Sequence, residues 1–441
     1  MPNLSTPEKS WLDRTLRLFS DVRPGEAVTA LLMLANIFLI LICYSVIKVV
    51  REPLILLGGG AEVRSYSAAG QAVLLMGFVP FYSWLASRVD RVKLLVGVTL
   101  FFIVNIELFA LAVAAGAPGV GVVFYIWVGI FNISLIAQFW SYANDIYSKD
   151  AGNRLFPIIA LGMTAGAPLG SLVAARLFGE GVEAQVILQV SAALLLGSLL
   201  LYLVVNVRET HRATAPPGVP LAAGDGFGLV LRSDYLRLIA LLIILLNVVN
   251  TTGGYVRASL LTAHAAELKA ADPSFNEGAY MGAFVGNYQF WTNVIALLLQ
   301  AFVTSRLVKY QGMRGVLLAL PLVALGGYTF AAAGVGLAIM NWIKNIEDGT
   351  DYSIMNTARQ LLWLPTSREE KYKAKQAIDT FFVRGGDLLS AAIVFLGTAV
   401  IPLGVFGFAA GNVMLTLVWI GVAMLILKRH RVLVEQPAKA A

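Results

Sequence analysis

Residues 27–47, AVTALLMLANIFLILICYSVI, run for twenty-one positions without a charge. Wound as a helix at about 1.5 Å per residue, they cover the roughly 30 Å hydrocarbon core of a bilayer. Runs of this kind recur along the chain, near residues 27–57, 66–87, 93–115, 119–147, 154–178, 184–206, 235–261, 279–305, 313–334, 336–365, 376–402 and 405–428. They predict an all-α membrane protein of twelve transmembrane helices, the junction at Gly334-Val335-Gly336 being the least distinct. Composition points the same way: 58% of the 441 residues are hydrophobic and 13% charged, with a mean hydropathy of +0.76. A soluble domain carries about 25% charged residues, so an ordinary soluble enzyme is excluded.

Lys and Arg near helix ends accumulate on the cytoplasmic side. With the N-terminus inside, the segments expected to be internal hold 24 of the 33 basic residues. Arg64 and Arg176 fall in expected outer loops, with Arg257 and Lys269 near the outer ends. Both termini are therefore expected inside, on the cytoplasmic side of a multi-pass membrane protein. The net charge of +7 is explained by basic inner loops facing anionic lipid headgroups, with no nucleic-acid partner needed. Residues 1–26 lack the short apolar core and small-residue cleavage site of a signal peptide. Trp11, Leu12, Leu16 and Phe19 instead predict an amphipathic helix lying along the membrane surface.

The longest inner segment, 207–234, contains Pro216-Pro217-Gly218 and Gly224-Asp225-Gly226 and reads as a polar linker. It divides the chain into a six-helix half over 27–206 and another over 235–428, with a cytoplasmic tail over 429–441. Two six-span halves are how major-facilitator-type transporters are built, with the substrate site between them near mid-membrane. Ser87-Arg88-Val89-Asp90-Arg91-Val92-Lys93, after span 2, partly resembles the DR-rich signature of that superfamily.

Charges stranded inside spans carry most of the functional information, because each centrally placed Arg, Lys or Asp costs about 2.5–3.5 kcal/mol on insertion scales. Span 1 carries Lys48, Arg51 and Glu52. Span 10 carries Lys344, Asn345, Glu347, Asp348, Asp351, Tyr352, Asn356 and Arg359. Span 11 carries Asp379, Arg384 and Asp387, beside Gly385-Gly386, which permits close helix approach. On an uninterrupted helix Lys344, Asp348, Asp351, Met355 and Arg359 share one face, a stripe of about 22 Å. A stripe of both signs suits the wall of a water-filled path; Lys344–Asp348 and Asp351–Arg359 also suit neutralising pairs that join helices. Span 11 is expected beside span 10.

Glu107 in span 3 reads as a proton or cation site or as a snorkelling carboxylate, and Tyr288 and Trp291 in span 8 as ring-stacking or packing residues. Cys43 stands alone, the three histidines lie far apart, and there is no phosphate-binding loop motif or nucleophile–base arrangement. No metal, cofactor, enzymatic activity or protein partner is expected, only a small anionic solute and the surrounding lipid.

The stretch Asn345-Ile346-Glu347-Asp348-Gly349-Thr350-Asp351-Tyr352-Ser353, with Asn356, Arg359-Gln360, Leu364-Pro365 and Lys371-Tyr372-Lys373-Ala374-Lys375-Gln376-Ala377-Ile378-Asp379, resembles the ATP/ADP translocase family of plastids and intracellular bacterial parasites. Phe139-Trp140-Ser141-Tyr142-Ala143-Asn144, Arg154-Leu155-Phe156-Pro157 and Arg51-Glu52 extend the likeness, the family commonly having Lys-Asp at the last pair. The resemblance implies a major-facilitator-like fold and exchange of ATP for ADP, or of related phosphate compounds, by alternating access. Its functional glutamates in spans 4 and 7 fall at Val128 and Asn250, and a functional lysine of span 11 at Asp387. Shifted base and phosphate-number selectivity is therefore expected, with Lys48, Arg51, Lys344 and Arg384 balancing the anion. Two other classes stay open: a carrier of another solute, proton-coupled through Glu107 or Asp387, and a non-transporting membrane protein.

Overall fold

The computed structural model describes residues 21–23, 25–86, 88–209, 226–367 and 369–435. The expected surface helix around Trp11–Phe19, most of the 207–234 linker and residues 436–441 lie outside them. Among the described residues every regular element is helical. In chain order these are α1 (Ala27–Ala86), α2 (Arg91–Ala114), α3 (Val120–Ile146), α4 (Lys149–Gly179), α5 (Ala184–Glu209), the short α6 (Gly226–Arg232), α7 (Asp234–Ala271), α8 (Glu277–Leu298), α9 (Ser305–Ala332), α10 (Leu337–Thr350), α11 (Asn356–Leu362), α12 (Lys375–Ala377), α13 (Val383–Phe395) and α14 (Val405–Glu435). Single π-helical turns join α8 to α9, α10 to α11, α12 to α13, and follow α13.

By length and composition nine helical stretches among the described residues suffice to cross a membrane. Two of them are too long for one crossing. Residues 27–86 are interrupted at Gly60 (φ 72°) and residues 277–332 at Gly312 (φ 59°), positions where the left-handed backbone favours glycine. Where the sequence predicted loops between spans 1 and 2 and between spans 8 and 9, one glycine in each case redirects an otherwise helical chain. Divided there, each of the two yields two segments long enough to cross, and the charged segment 337–362 adds a further helical stretch of similar length among the described residues. The turn at Gly334 (φ 87°) separates α9 from α10. Two further boundaries differ from expectation: α7 continues to Ala271, and α14 runs through the first part of the expected tail to Glu435.

The apolar interior forms two large clusters. One draws on residues 33–205; the other draws on 230–426 and takes only Ile55, Leu56, Ala61 and Tyr125 from the earlier part of the chain. In the first cluster α4 lies directly on the backbone of α1. Gly162, Gly166 and Gly170 recur every four residues and so share one helix face. A Cβ on Gly166 or Gly170 would stand 2.7 and 2.6 Å from the carbonyl oxygens of Phe38 and Ile42, and one on Gly162 would meet that of Leu34. This is the small-residue helix contact of membrane interiors. In the second cluster Gly386 packs on Asn247 of α7, while Gly385 faces open space. Contacts between the two groups of helices are also close: a Cβ on Gly286 of α8 would lie 2.8 Å from the backbone nitrogen of Ala175 in α4.

Candidate functional site

Between the two clusters lies a cavity of about 290 Å³, walled by α1, Tyr125 of α3, α7, α8, α10 and α13. Its basic lining residues are Lys48, Arg51, Arg64, Arg257, Lys344 and Arg384, against the acidic Glu52, Asp348 and Asp387. That is three more positive than negative charges.

On α1, Glu52 is the hub. Arg51 donates from Nη2 and Nε to Glu52 Oε1 at 2.6 and 3.2 Å, and Arg64 donates from Nε to Glu52 Oε2 at 2.6 Å. The Arg51 guanidinium also lies over the Tyr125 ring at 4.1 Å. Because α1 bends at Gly60, Arg64 returns toward Glu52 with a side chain only 14% exposed. Tyr255 of α7 donates to Glu62 Oε1 at 3.0 Å, tying the far limb of the bend to the second group of helices.

On α10, Lys344 is the hub. It lies 2.9 Å from Glu347 Oε2 and 3.1 Å from Asp348 Oδ1, and its ammonium also reaches the Asn250 carbonyl at 3.3 Å. Glu347 further accepts from Tyr328 at 2.8 Å; Asp348 accepts from Asn250 Nδ2 at 2.9 Å and from the Tyr288 hydroxyl. Lys344, Glu347, Tyr328 and Tyr288 are buried and Asn250 and Asp348 partly so, and charge-assisted hydrogen bonds are what make such burial tolerable.

Of the residues singled out from the sequence, Lys48, Arg51, Glu52, Lys344, Asp348, Tyr352, Arg384 and Asp387 line the cavity. Asp351, Asn356, Arg359 and Asp379 do not. Asp351 is paired with Arg359 at 2.7 Å, Asn356 is exposed, and Asp379 lines a separate pocket of about 210 Å³ that shares Arg384 with the main cavity. The expected charged stripe along span 10 is thus broken. The π turn at Asp351–Met355 adds a residue to one turn and rotates everything after it by about 100°. Met355 turns into the apolar core, and Arg359, eight residues beyond Asp351, comes under it as a residue seven positions on would in a regular helix. Span 11 also differs from expectation: α13 packs against α7 and α1 rather than beside α10, and Arg384 pairs with Asp387 of its own helix at 3.3 Å.

Arg64 and Arg257, assigned from the sequence to the outer side, belong to the site. A run of mixed polarity around a glycine bend hid the first. The second stands one turn beyond Gly253-Gly254 on a helix that is longer than hydropathy shows; its guanidinium stacks on the Tyr288 ring at 4.0 Å. Tyr288 therefore faces the cavity, whereas Trp291 is 43% exposed and packs at a tilt against Trp342. Glu107 is half-buried on α2 and is not among the cavity's lining residues. At the start of α2, Asp90 accepts from the Lys93 backbone N–H at 3.2 Å and Arg91 pairs with Asp145 of α3, so these two residues of the signature cap and clamp that turn.

No family model matches the chain. Among curated proteins it is 25% identical over 321 residues to ADP,ATP carrier protein 1 of Chlamydia trachomatis, covering 62% of this chain and 58% of that protein. It is 22% identical over 323 residues to ADP,ATP carrier protein 3 of Rickettsia felis, covering 61% of each. The chain is a distant homologue of the ADP,ATP carrier proteins. It spans less than two thirds of the length of these relatives. Among solved structures the nucleoside transporter NupG aligns with a TM-score of 0.60 at 14% identity, over 91% of this chain and 98% of that one. The peptide transporter POT in complex with sulfate aligns with a TM-score of 0.62 at 13% identity, over 90% and 94%. At such identities the likeness is one of fold: a helical, multi-pass membrane protein of the major-facilitator type. Of the positions where the sequence departs from the translocase pattern, Val128 is buried in the first apolar cluster, Asn250 is bound to Asp348 and Lys344, and Asp387 lines the cavity.

Proposed function

We propose that this protein is a secondary-active transporter, and not an enzyme, that exchanges nucleotides or related phosphate-bearing anions across a bacterial cytoplasmic membrane by alternating access. The carrying observation is the cavity between the two apolar clusters, where cations outnumber carboxylates by three in a chain homologous to ADP,ATP carriers. Lipid excludes a multivalent anion, and a central site of opposite charge supplies what the bilayer cannot. Twelve crossings, in halves 27–206 and 235–428 with both termini inside, are part of the proposal. Lys48, Arg51, Glu52, Lys344, Asp348, Tyr352, Arg384 and Asp387 are its substrate-facing set, to which Arg64, Arg257 and Tyr288 are added. Because Asn250 is spent on the Lys344–Asp348 network and Val128 is dry, selectivity for base and phosphate number is proposed to differ from that of the relatives.

The test is counterflow in proteoliposomes. Labelled ADP, ATP or a smaller phosphate compound is expected to enter only when the lumen holds a counter-substrate, and unlabelled phosphate compounds are expected to compete. Saturable uptake confined to neutral or cationic solutes would overturn the reading, as would uptake independent of internal solute.

A further inference from the structure

The six cations of the cavity are not equivalent. Arg51 and Arg64 share Glu52, Lys344 is held by Glu347 and Asp348, and Arg384 by Asp387. Arg257 has no such carboxylate within ion-pair distance among the described residues. It is 4% exposed, it lines the cavity, and its Nε and Nη1 meet no hydrogen-bond acceptor. Its close companion is the face of Tyr288, which leaves the in-plane donors unused. Lys48 of α1, half-buried on the same cavity, is likewise outside every ion pair among the described residues.

A buried donor without an acceptor is costly, and a guanidinium does not escape the cost by shedding its proton. Such an arrangement persists where the missing acceptor is a ligand. We propose that Arg257 is the phosphate-binding residue of this protein, its unused Nε and Nη1 donors taking oxygens of a phosphate group, with Lys48 as the second charge. This rests on the reading of the cavity as the site of a phosphate-bearing substrate and goes beyond it in three respects. It names the contact residue, which the sequence placed at the outer end of a span. It assigns Arg51, Arg64, Lys344 and Arg384 to holding the walls. It also sets the preferred ligand: two unpaired cations match a phosphate group bearing two negative charges. Because Lys48 stands on α1 and Arg257 on α7, the bound dianion bridges the two groups of helices, the geometry needed for substrate to couple their movement.

The experiment uses the purified full chain in detergent, with ADP, AMP and inorganic phosphate as probes and adenosine as the uncharged control. Binding and the thermal stability of the ligand-free protein are both read. Wild type is expected to bind the three phosphate-bearing probes and not adenosine. Arg257→Gln is expected to weaken binding about 10- to 100-fold while leaving ligand-free stability unchanged or raised, since it removes a buried charge with no carboxylate within ion-pair distance. Arg257→Lys is expected to recover part of the binding, and Arg51→Gln to lower ligand-free stability because it breaks a pair. If wild type binds none of the phosphate-bearing probes, the substrate reading fails and takes this inference with it. If wild type binds them and Arg257→Gln binds equally well, the inference alone is overturned. It is overturned as well if Arg257→Gln lowers ligand-free stability or prevents folding, because the arginine is then a paired structural charge.

Discussion

The two charge clusters of the cavity are mirror images in sign. On α1 one carboxylate, Glu52, is shared by two arginines, a net of one positive charge; on α10 one lysine, Lys344, is shared by two carboxylates, a net of one negative charge. Each hub is almost completely buried, with side chains 3% and 1% exposed. What differs is the escape available when a hub is lost. A carboxylate stripped of its cation can neutralise itself by taking a proton, whereas an arginine cannot lose one. The α10 cluster also has neutral donors in reserve, since Tyr328, Tyr288 and Asn250 all contact its carboxylates. Among the described residues the α1 cluster has no such neutral hydrogen-bond donor, and the Tyr125 ring face lies against Arg51.

Breaking the α1 hub is therefore expected to have the largest effect. Glu52→Gln leaves Arg51 and Arg64 buried without a counter-charge and should cost about 3–5 kcal/mol, seen as poor recovery and a lowered unfolding temperature in detergent. Glu52→Gln/Arg64→Gln should regain part of that loss; if the double variant is worse than the single, the hub description of Glu52 is wrong. Breaking the α10 hub should cost less. Lys344→Met is expected to destabilise by about 2–3 kcal/mol, because the two carboxylates keep their tyrosine and asparagine donors, and a loss equal to that of Glu52→Gln would remove the contrast.

A third substitution keeps to α1 and its partners but involves no charge. Gly166→Val should force the α4–α1 contact apart and cost about 1–3 kcal/mol through overpacking, without altering which probes compete in counterflow. The smallest effect belongs to a pair at the helix ends. Glu26, just before α1, accepts from Arg154 at 2.9 Å. Burial works to raise its carboxyl, but the hydrogen bond and charge of Arg154 outweigh it and hold the group below its ordinary value of 4.5. Stability from this pair is present above pH 4.5 and lost as the pH falls through the lowered folded value. Glu26→Gln should thus cost under about 1 kcal/mol at about pH 7, and its unfolding temperature should converge on that of wild type as the pH falls through the lowered folded value.

Lys48, Arg51, Glu52, Lys344 and Asp348 were legible because each is a costly charge in a run otherwise fit for lipid. Arg64 and Arg257 were not, because each stands near a glycine-containing stretch that hydropathy reads as the end of a span, where a charge is commonplace. The loops expected near residues 60 and 312 failed for a related reason: a single left-handed glycine redirects a helix with no polar segment to mark it. The stripe on span 10 failed because a π turn leaves no compositional trace, yet it moves Met355 and Arg359 by about 100° around the axis.

By itself the sequence determined that this chain crosses a membrane many times and where charge had to be compensated, since both follow from transfer costs that each residue carries wherever it stands. Only the tertiary structure decided which charges compensate each other and that Arg257 is left over. Pairing depends on helix rotation and crossing to within an ångström or two, and one bent glycine or one widened turn is enough to change it.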